Sequence, residues 1–239
     1  KSVVLKSVDI ALTAGAVADI TGAMLTLPGT TRNPETGQLL VRGGAAYETR
    51  TLIDGLYVQN AYNSTTANMP ARNRFSPFLF KGMMFSSGGY SAEYGQALSS
   101  ALILNTTDVV GQTTTGIQLL SVGGGLSQQK SWEKSSLSVS GTYTNLSPYF
   151  RLIKQNFDWK QAPTAGNAEL SFKTKTSQTG IFKFYATGSS NGFNMNVAIA
   201  GDESQKMPLK LSGENLYTNA SYRDIVFKDW TLFVGSAYS

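Results

Sequence analysis

The sequence predicts a mixed α/β domain over residues 1–110, followed by antiparallel β-strands over residues 111–239. Three observations support this prediction. Charged residues make up only 15% of the chain, whereas Gly (24), Tyr (11) and Phe (12) are abundant, a composition that favours strands and turns over helix bundles. The first part combines short apolar runs with one helical repeat. The second part alternates apolar with polar residues, so the predicted domain boundary lies where the pattern changes.

One helix and several short strands are predicted in the first part. Val17, Ile20, Met24 and Leu27 recur at helical spacing, and a Pro-Gly pair ends the pattern, so a helix is predicted over residues 17–27. Strands are predicted at residues 3–5, 39–41, 49–53 and 97–105.

Turn residues and a buried run refine this assignment. Asp54–Gly55 is a dipeptide that favours tight hairpin turns, and we expect its role to be structural. Gly43 and Gly44 are expected to adopt positive φ angles where the chain turns sharply. The continuous apolar run over residues 101–104 predicts a strand that is buried on both faces.

The second part alternates apolar and polar residues with a period of two. Leu170 and Phe172 alternate with Glu169, Ser171 and Lys173, and the same alternation covers residues 136–144 and 230–238. Such strands are typical of a transmembrane β-barrel, whose outer face must be apolar, and equally of a soluble β-sandwich. The pattern alone leaves both classes open.

Loop lengths predict seven strands in this part. Short turns alternate with long connections over residues 146–166 and 189–213, as they do in outer-membrane barrels. The three glycines at 123–125 are predicted to form a sharp turn, and the alternative is one long strand with a glycine bulge. The predicted strands cover residues 116–122, 126–132, 136–145, 167–176, 180–188, 215–223 and 229–238.

Composition argues against enzymatic chemistry. The chain has no His and no Cys, which removes the usual general base, thiol nucleophiles and the commonest zinc ligands. The 15 Asp and Glu residues show no clustering of the kind a carboxylate-based hydrolase needs. The net charge of +5 comes from scattered Lys and Arg, so nucleic-acid binding is not expected. We therefore expect a protein that is not an enzyme and carries no cofactor or metal.

Three motifs in order resemble the plug domain of TonB-dependent outer-membrane transporters. They are Val41-Arg-Gly-Gly44, Ile53-Asp-Gly55 and the run from Gly88-Gly-Tyr-Ser-Ala-Glu-Tyr-Gly to Asn105. The resemblance covers residues 35–110, and the run Arg74-Phe-Ser-Pro-Phe-Leu-Phe-Lys-Gly82 is similar to plugs from Bacteroidota. It implies a mixed α/β plug domain followed by the first strands of a 22-stranded transmembrane β-barrel in the outer membrane of a Gram-negative cell.

Seven strands cannot close such a barrel, and an open sheet edge in lipid is prohibitively costly. We therefore expect the chain to be the N-terminal portion of a longer protein. It begins at Lys1 rather than Met, so processing or truncation is expected as well.

The resemblance implies active import of a scarce nutrient, such as a siderophore, cobalamin, a glycan or a peptide. The implied partners are TonB with its inner-membrane energising complex, outer-membrane lipid, and a surface lipoprotein or other outer-membrane subunits. Two alternatives are a plugged barrel that serves as a scaffold or binding protein without transport, and a secreted β-rich adhesin whose likeness to a plug is accidental.

Two groups of residues are candidate functional sites. In the family, plug loops at the position of residues 60–74 meet substrate, and aromatic and charged side chains there suit an anionic or polyhydroxyl ligand. The alternative is a solvated loop that packs against the barrel. Arg42 and Glu93 stand in the family's Arg-Gly and Glu-Tyr-Gly signatures, which implies charged contacts that lock the plug to the barrel wall. The candidate substrate contacts are Tyr62, Asn63, Arg72, Asn73 and Arg74.

Overall fold

Two β-sheets organise the chain in the computed structural model, which describes residues 2–16, 19–63, 71–155, 158–199 and 202–239. A five-stranded sheet lies within the first 106 residues, and a seven-stranded sheet begins at Thr114. The predicted division at residue 110 falls in the segment between them.

The N-terminal sheet has the strand order β1-β6-β7-β4-β5, with β4 and β7 parallel and the other pairs antiparallel. The strands β2 and β3 form a separate antiparallel pair, and single 3₁₀ turns precede β4 and β6. The elements are β1 (Ser2–Leu5), α1 (Ser7–Leu12), α2 (Ile20–Met24), β2 (Thr30–Arg32), β3 (Leu39–Val41), β4 (Thr49–Ile53), β5 (Leu56–Val58), β6 (Phe80–Ser86) and β7 (Ser100–Thr106).

Most of the short strands lie where the sequence predicted them. β3 and β4 match their predicted ranges, and β7 is almost fully buried, as its apolar run indicated. Asp54 and Gly55 have φ angles of 49° and 83° and form the turn between β4 and β5. Gly43 has the expected positive φ of 80°. The expectation for Gly44 was wrong, because its backbone is not left-handed and a Cβ there would lie 2.6 Å from the Ser99 Cβ.

The helices differ from the prediction. The helix predicted over residues 17–27 is shorter, although Val17 and Ala18 lie outside the described residues. Asp19 caps α2 by accepting a hydrogen bond from the Gly22 amide at 2.8 Å. After α2 the chain continues in tight turns that keep the helical spacing of the apolar residues. α1 was not predicted, because it is only six residues long and buries Ile10 alone.

The C-terminal sheet is antiparallel throughout, and its strands pair in chain order. The prediction of seven strands is confirmed. One helix, α3 (Ser147–Leu152), lies between the third and fourth strands. The strands are β8 (Thr114–Leu120), β9 (Gly123–Ser131), β10 (Ser135–Asn145), β11 (Asp158–Lys175), β12 (Ile181–Ile199), β13 (Asp202–Val226) and β14 (Trp230–Tyr238).

The hairpin between β8 and β9 exists, so the alternative of one long strand is wrong. Its turn is at residues 121–122 rather than at the three glycines, which open β9 instead. A Cβ on Gly123 would collide with the Tyr143 carbonyl oxygen, and one on Gly125 would lie 2.9 Å from the Thr142 side chain. The glycines are therefore needed because β9 and β10 approach each other closely.

The long connection predicted at 189–213 is wrong, because nearly all of its residues extend β12 and β13. The one predicted at 146–166 exists but is shorter, because residues 158–166 belong to β11. β12 and β13 remain paired from Ile181↔Arg223 to Val197↔Met207. The polarity of the faces reverses along β12: Phe182 and Phe184 lie on the outer face, whereas Phe193 and Met195 lie on the buried inner face. This reversal interrupts the apolar-outside pattern while the backbone pairing continues, and the sequence therefore resembled a loop.

Candidate functional site

A buried ion pair joins the two sheets. Lys183 of β12 places its Nζ 3.3 Å from the Asp54 Oδ1, and the two side chains are 11% and 5% exposed. The ammonium also donates to the Thr106 carbonyl oxygen at 3.1 Å. Asp54 accepts two further hydrogen bonds from Thr106, from the amide at 3.0 Å and from the hydroxyl at 2.6 Å. Both charges are thus compensated, which a buried pair requires.

A second lysine and a second carboxylate extend this network. Lys173 of β11 lies opposite Lys183 in the strand register and donates to the Thr107 hydroxyl at 2.6 Å. Asp108 lies 3.3 Å from the Lys183 Nζ and 2.8 Å from the Lys81 Nζ. Burial raises the pKa of Asp108, but hydrogen bonds and charge from Lys81 and Lys183 outweigh it and hold the pKa below its usual value.

An aromatic cluster adjoins the ion pair. Phe75 lies 5.5 Å from Tyr217 and 6.4 Å from Tyr185 between ring centroids, and the two tyrosines are 6.3 Å apart. The three side chains are 2%, 0% and 1% exposed. The Asn219 side-chain amide donates hydrogen bonds to the Tyr217 hydroxyl at 3.1 Å and to the Ile53 carbonyl oxygen at 3.3 Å. This side of the contact between the sheets is dry and closely packed.

The candidate substrate contacts lie at the base of one hairpin. Tyr62 and Asn73 form a β-bridge, and the Asn63 amide donates to the Arg72 carbonyl at 2.9 Å. Residues 64–70 of the predicted loop lie outside the described residues. Asp19 accepts a hydrogen bond from the Asn73 amide at 2.8 Å, and so ties the hairpin to the start of α2.

Arg74 is the most unusual of these residues. Its side chain is buried, with Nη1 donating to the Asn60 carbonyl at 2.7 Å and Nε making no hydrogen bond within the described part of the chain. Among the ion pairs formed by described residues, none includes Arg74. Burial lowers the pKa of the Arg74 guanidinium. A buried cation without a counter-ion can bind an incoming anion.

Four of the five candidate residues line one cavity of about 530 Å³ between the two sheets. Tyr62 is the exception: it packs behind the hairpin, where burial raises its pKa to about 12. Trp159 and Phe193 line the opposite wall and meet edge to face at 5.7 Å. The four are Asn63, Arg72, Asn73 and Arg74.

Arg42 and Glu93, the predicted lock residues, are both exposed. Neither takes part in an ion pair with another described residue. Arg42 has a φ of 51° and lies in the tight turn after β3, with its guanidinium beside Gly88. Glu93 is hydrogen-bonded to Tyr94. Burial is the main cause that raises the pKa of Tyr94, and the bond with Glu93 adds to it. The positive charge of Arg223 on β13 acts in the opposite direction and lowers this pKa.

The sequence analysis missed the residues that join the two sheets. Asp54 was predicted only as a turn residue, and Lys183 was not singled out. Lys173 and Lys183 lie at inward positions of strands whose outward neighbours are apolar, and this signal could have indicated that they contact the other sheet.

In the described ranges, no group of three or more acidic side chains is arranged to hold a metal ion. The helices formed by these residues are too short and too polar to cross a lipid bilayer.

A family model described as "TonB-dependent Receptor Plug Domain" matches residues 4–102. Those residues contain most of the N-terminal sheet, the first two motifs that carried the resemblance, and the third motif as far as Leu102. Residues 4–102 belong to the TonB-dependent receptor plug domain family. The sheet formed by β1 and β4–β7, with its helices, is called the plug below, and β8–β14 are called the wall.

Solved structures share the fold of the plug and the wall together. The FrpB iron transporter from Neisseria meningitidis has a TM-score of 0.68 at 14% identity, covering 98% of this chain and 39% of its own. The ferric enterobactin receptor PfeA of Pseudomonas aeruginosa has a TM-score of 0.62 at 15% identity, covering 99% and 40%. The siderophore receptor PirA from Acinetobacter baumannii has a TM-score of 0.60 at 16% identity, covering 99% and 39%.

These similarities establish the fold as a plug followed by antiparallel barrel strands. The chain spans about 40% of the length of these three structures. No curated protein sequence matches it.

Proposed function

We propose that this chain belongs to a TonB-dependent receptor that imports a scarce solute across the outer membrane. The observation that carries the proposal is the seating of the plug on the polar inner face of the wall, through the buried pair of Lys183 and Asp54. An occluding domain held inside a barrel suits gated transport, whereas a sheet built only for binding needs no plug.

The faces of the wall support a position in lipid. On β11 the inward side chains are buried, whereas the outward Leu170 and Phe172 are partly exposed. The inward residues are Glu169, Ser171 and Lys173. An apolar outer face and a polar inner face are what a transmembrane barrel strand requires. The reversal of polarity beyond residue 188 on β12 then marks where the strand leaves the apolar layer and enters water.

The strand ends suggest the orientation. The turns at residues 132–134, 176–180 and 227–229 lie at one end of the wall. The other end carries the short turn at 121–122 and also the longest connection, residues 146–157, as the outer end of a barrel does. The cavity that Arg74 lines extends toward the other end, where Pro163 and Leu211 contribute to it. We therefore infer that this cavity faces the cell exterior.

The cavity favours an anionic ligand. Arg72 and Arg74 contribute two positive charges against the one carboxylate of Asp19, which also lines the cavity. Asn63 and Asn73 offer amide groups, and Trp159 supplies an aromatic surface. Guanidinium groups bind anionic oxygens through charge-assisted hydrogen bonds, which are paired where the anion presents two oxygens, as a carboxylate does. Iron chelates of the kind named for the ferric enterobactin and siderophore receptors fit this chemistry better than neutral glycans or peptides.

We propose that two contacts hold the plug against the wall. Lys183 with Asp54 is the first, and the Glu93–Tyr94 pair facing Arg223 is the second. Arg42 remains a predicted lock residue. TonB would act on the plug from the periplasmic side, and a lipoprotein or other outer-membrane subunit remains a predicted partner.

Uptake in cells tests the proposal directly. The full-length protein is expressed in an outer membrane that lacks other iron-chelate receptors, and uptake of a radiolabelled ferric catecholate is measured with and without TonB. We expect uptake that is lost when TonB is absent or when the proton gradient is collapsed. Binding without uptake would support the scaffold instead, and TonB-independent uptake would contradict the proposal.

Arg74→Ala is expected to weaken ligand binding by about 10–100-fold, because a hydrogen bond to a charged group contributes roughly 1.5–3 kcal/mol. The measurement is a titration of the purified full-length protein with a ferric catecholate, followed by tryptophan fluorescence, since Trp159 lines the cavity. Arg151→Ala is the matched control, because Arg151 lies exposed on α3 outside the cavity lining. Equal losses of affinity in both variants would show that Arg74 does not contact the ligand.

A further inference from the structure

One carboxylate lies among the arginines of the cavity proposed for the ligand. Among the described residues that line this cavity, the ionisable side chains are Arg72, Arg74 and Asp19. Residues 64–70 of the hairpin read Ser-Thr-Thr-Ala-Asn-Met-Pro and add no ionisable side chain to the sequence of this loop. An anion that approaches the two guanidinium groups therefore also approaches the carboxylate of Asp19.

Backbone amides hold Asp19 in place. Its Oδ1 accepts a hydrogen bond from the Gly22 amide at 2.8 Å, and its Oδ2 accepts one from the Asn73 amide at 2.8 Å. An ionised carboxylate has about four lone-pair sites, so each oxygen keeps a site that can take a proton while both amide bonds persist. Asp19 can therefore change its charge without releasing the hairpin.

The groups that face Asp19 compensate its charge only in part. In the described ranges, no ion pair includes Asp19 or Arg72. Arg72 acts on Asp19 as a more distant positive charge, and the neighbouring Tyr62 stays neutral because burial raises its pKa to about 12. Burial raises the pKa of the Asp19 carboxyl, and the amide bonds and the charge of Arg72 offset this only partly. Asp19 is thus closer to protonation than an exposed aspartate.

A bound anion brings a second negative charge into the same space. Arg74 is buried and has no counter-ion among the described residues, so its guanidinium is the expected contact for the anion. Two negative charges in one partly buried site repel each other, and this repulsion favours protonation of one of them. A proton on Asp19 removes the repulsion and leaves both guanidinium groups unopposed.

We propose that Asp19 takes up a proton from solvent when an anion binds in the cavity, so that affinity for anionic ligands, but not for neutral ones, depends on pH. This coupling rests on the proposed import function and adds how its ligand site responds to charge. Affinity for an anion increases as the pH falls through the pKa that Asp19 has in the complex, and it levels off below the pKa that Asp19 has in the free protein.

Titrations of the full-length protein with a ferric catecholate test the coupling. Asp19→Asn is measured beside the parent, because any change of the chelate itself with pH affects both proteins equally. At about pH 7.5 the parent should bind about tenfold more weakly than the variant, since one unit of pKa shift corresponds to a tenfold change in an equilibrium constant. This gap should narrow as the pH falls to about 5, where Asp19 of the parent becomes protonated in the complex.

The direction of the effect separates charge from structure. An asparagine leaves one of the two amide donors without its acceptor, so a purely structural role of Asp19 predicts weaker binding by the variant. Asp9→Asn is the matched control: Asp9 accepts a hydrogen bond from the Lys6 amide at 2.8 Å at the start of α1, and it is exposed and outside the cavity lining. This control should retain the affinity and the pH dependence of the parent. Asp19→Ser, which can still cap α2, replaces Asp19→Asn if that protein does not insert.

A second measurement separates proton uptake from import. Infrared difference spectra of the full-length parent on addition of sulfate, whose charge is fixed over this pH range, should show the band of a protonated carboxyl group that Asp19→Asn lacks. This band without any uptake of ferric catecholate in cells would contradict only the proposed import. A parent without the band, a variant that binds more weakly at neutral pH, or a gap that does not narrow with falling pH would overturn the proton uptake.

Discussion

Lys183→Ala is expected to destabilise the docked plug by about 3–5 kcal/mol, because it leaves Asp54 buried without its cation. The plug would then unfold or leave the barrel at a lower urea concentration. Each molar of urea lowers the free energy of unfolding by roughly 1–3 kcal/mol, so the urea midpoint should fall by about 1–5 M. The measurement is the urea concentration at which the full-length protein begins to conduct ions across a planar lipid bilayer.

Lys81→Ala is the matched control. Lys81 pairs with Asp108 at 2.8 Å, a shorter distance than that of the Lys183 pair, but its side chain and that of Asp108 are 50% and 53% exposed. Exposed pairs contribute only about 0–1 kcal/mol, so the midpoint should hardly move. Asp54→Asn combined with Lys183→Met removes both charges and should recover part of the loss. Equal shifts of the urea midpoint in Lys183→Ala and Lys81→Ala would show that the buried ion pair stabilises docking no more than the exposed one.

Phe75→Ala is expected to cost about 3–5 kcal/mol of the same docking stability, because it removes a fully buried ring and leaves a cavity between Tyr185 and Tyr217. The edge-to-face contact with Tyr217 and the tilted contact with Tyr185 are lost together with the buried area. The urea midpoint for ion conductance measures this effect as well.

Phe78→Ala provides the comparison within the same segment of the plug. The Phe78 side chain is 61% exposed, so its removal costs little packing and the midpoint should stay near that of the parent protein. A larger shift for Phe78→Ala than for Phe75→Ala would mean that the plug does not dock through the aromatic cluster.

The parts of the fold that depend on local sequence were predictable. The turn at Asp54–Gly55 needs positive φ angles that this dipeptide adopts readily, and β3 and β4 follow directly from their short apolar runs. The seven strands of the wall were predicted from the alternation of apolar and polar residues together with the order of short turns and long connections.

The parts that depend on distant contacts were not predictable. The ion pair of Lys183 and Asp54 joins residues 129 positions apart, and its existence depends on how β12 is registered against the plug. The length of β12 and β13 was underestimated because Phe193 and Met195 face inward where Phe182 and Phe184 face outward. Local pattern does not reveal where a strand passes from one surrounding medium to another.

The sequence singled out candidate site residues, but it did not predict their geometry. Asn63, Arg72, Asn73 and Arg74 were singled out by position and chemistry, and the structure places all four on one cavity. That Arg74 is buried, and lacks a counter-ion among the described residues, follows from the packing of Phe75 against the wall, which one sequence does not show.

Spin labels on β12 of the full-length protein in lipid vesicles measure whether the plug sits inside a membrane-spanning wall. Labels at the outward positions Phe182, Phe184 and Ala186 should collide with dissolved oxygen and be shielded from an aqueous nickel complex, because lipid surrounds them. A label at Thr187, which is 3% exposed on the inward face, should be shielded from both. Free access of the nickel complex to the outward positions, or to Thr187, would contradict a plug enclosed by a lipid-embedded barrel.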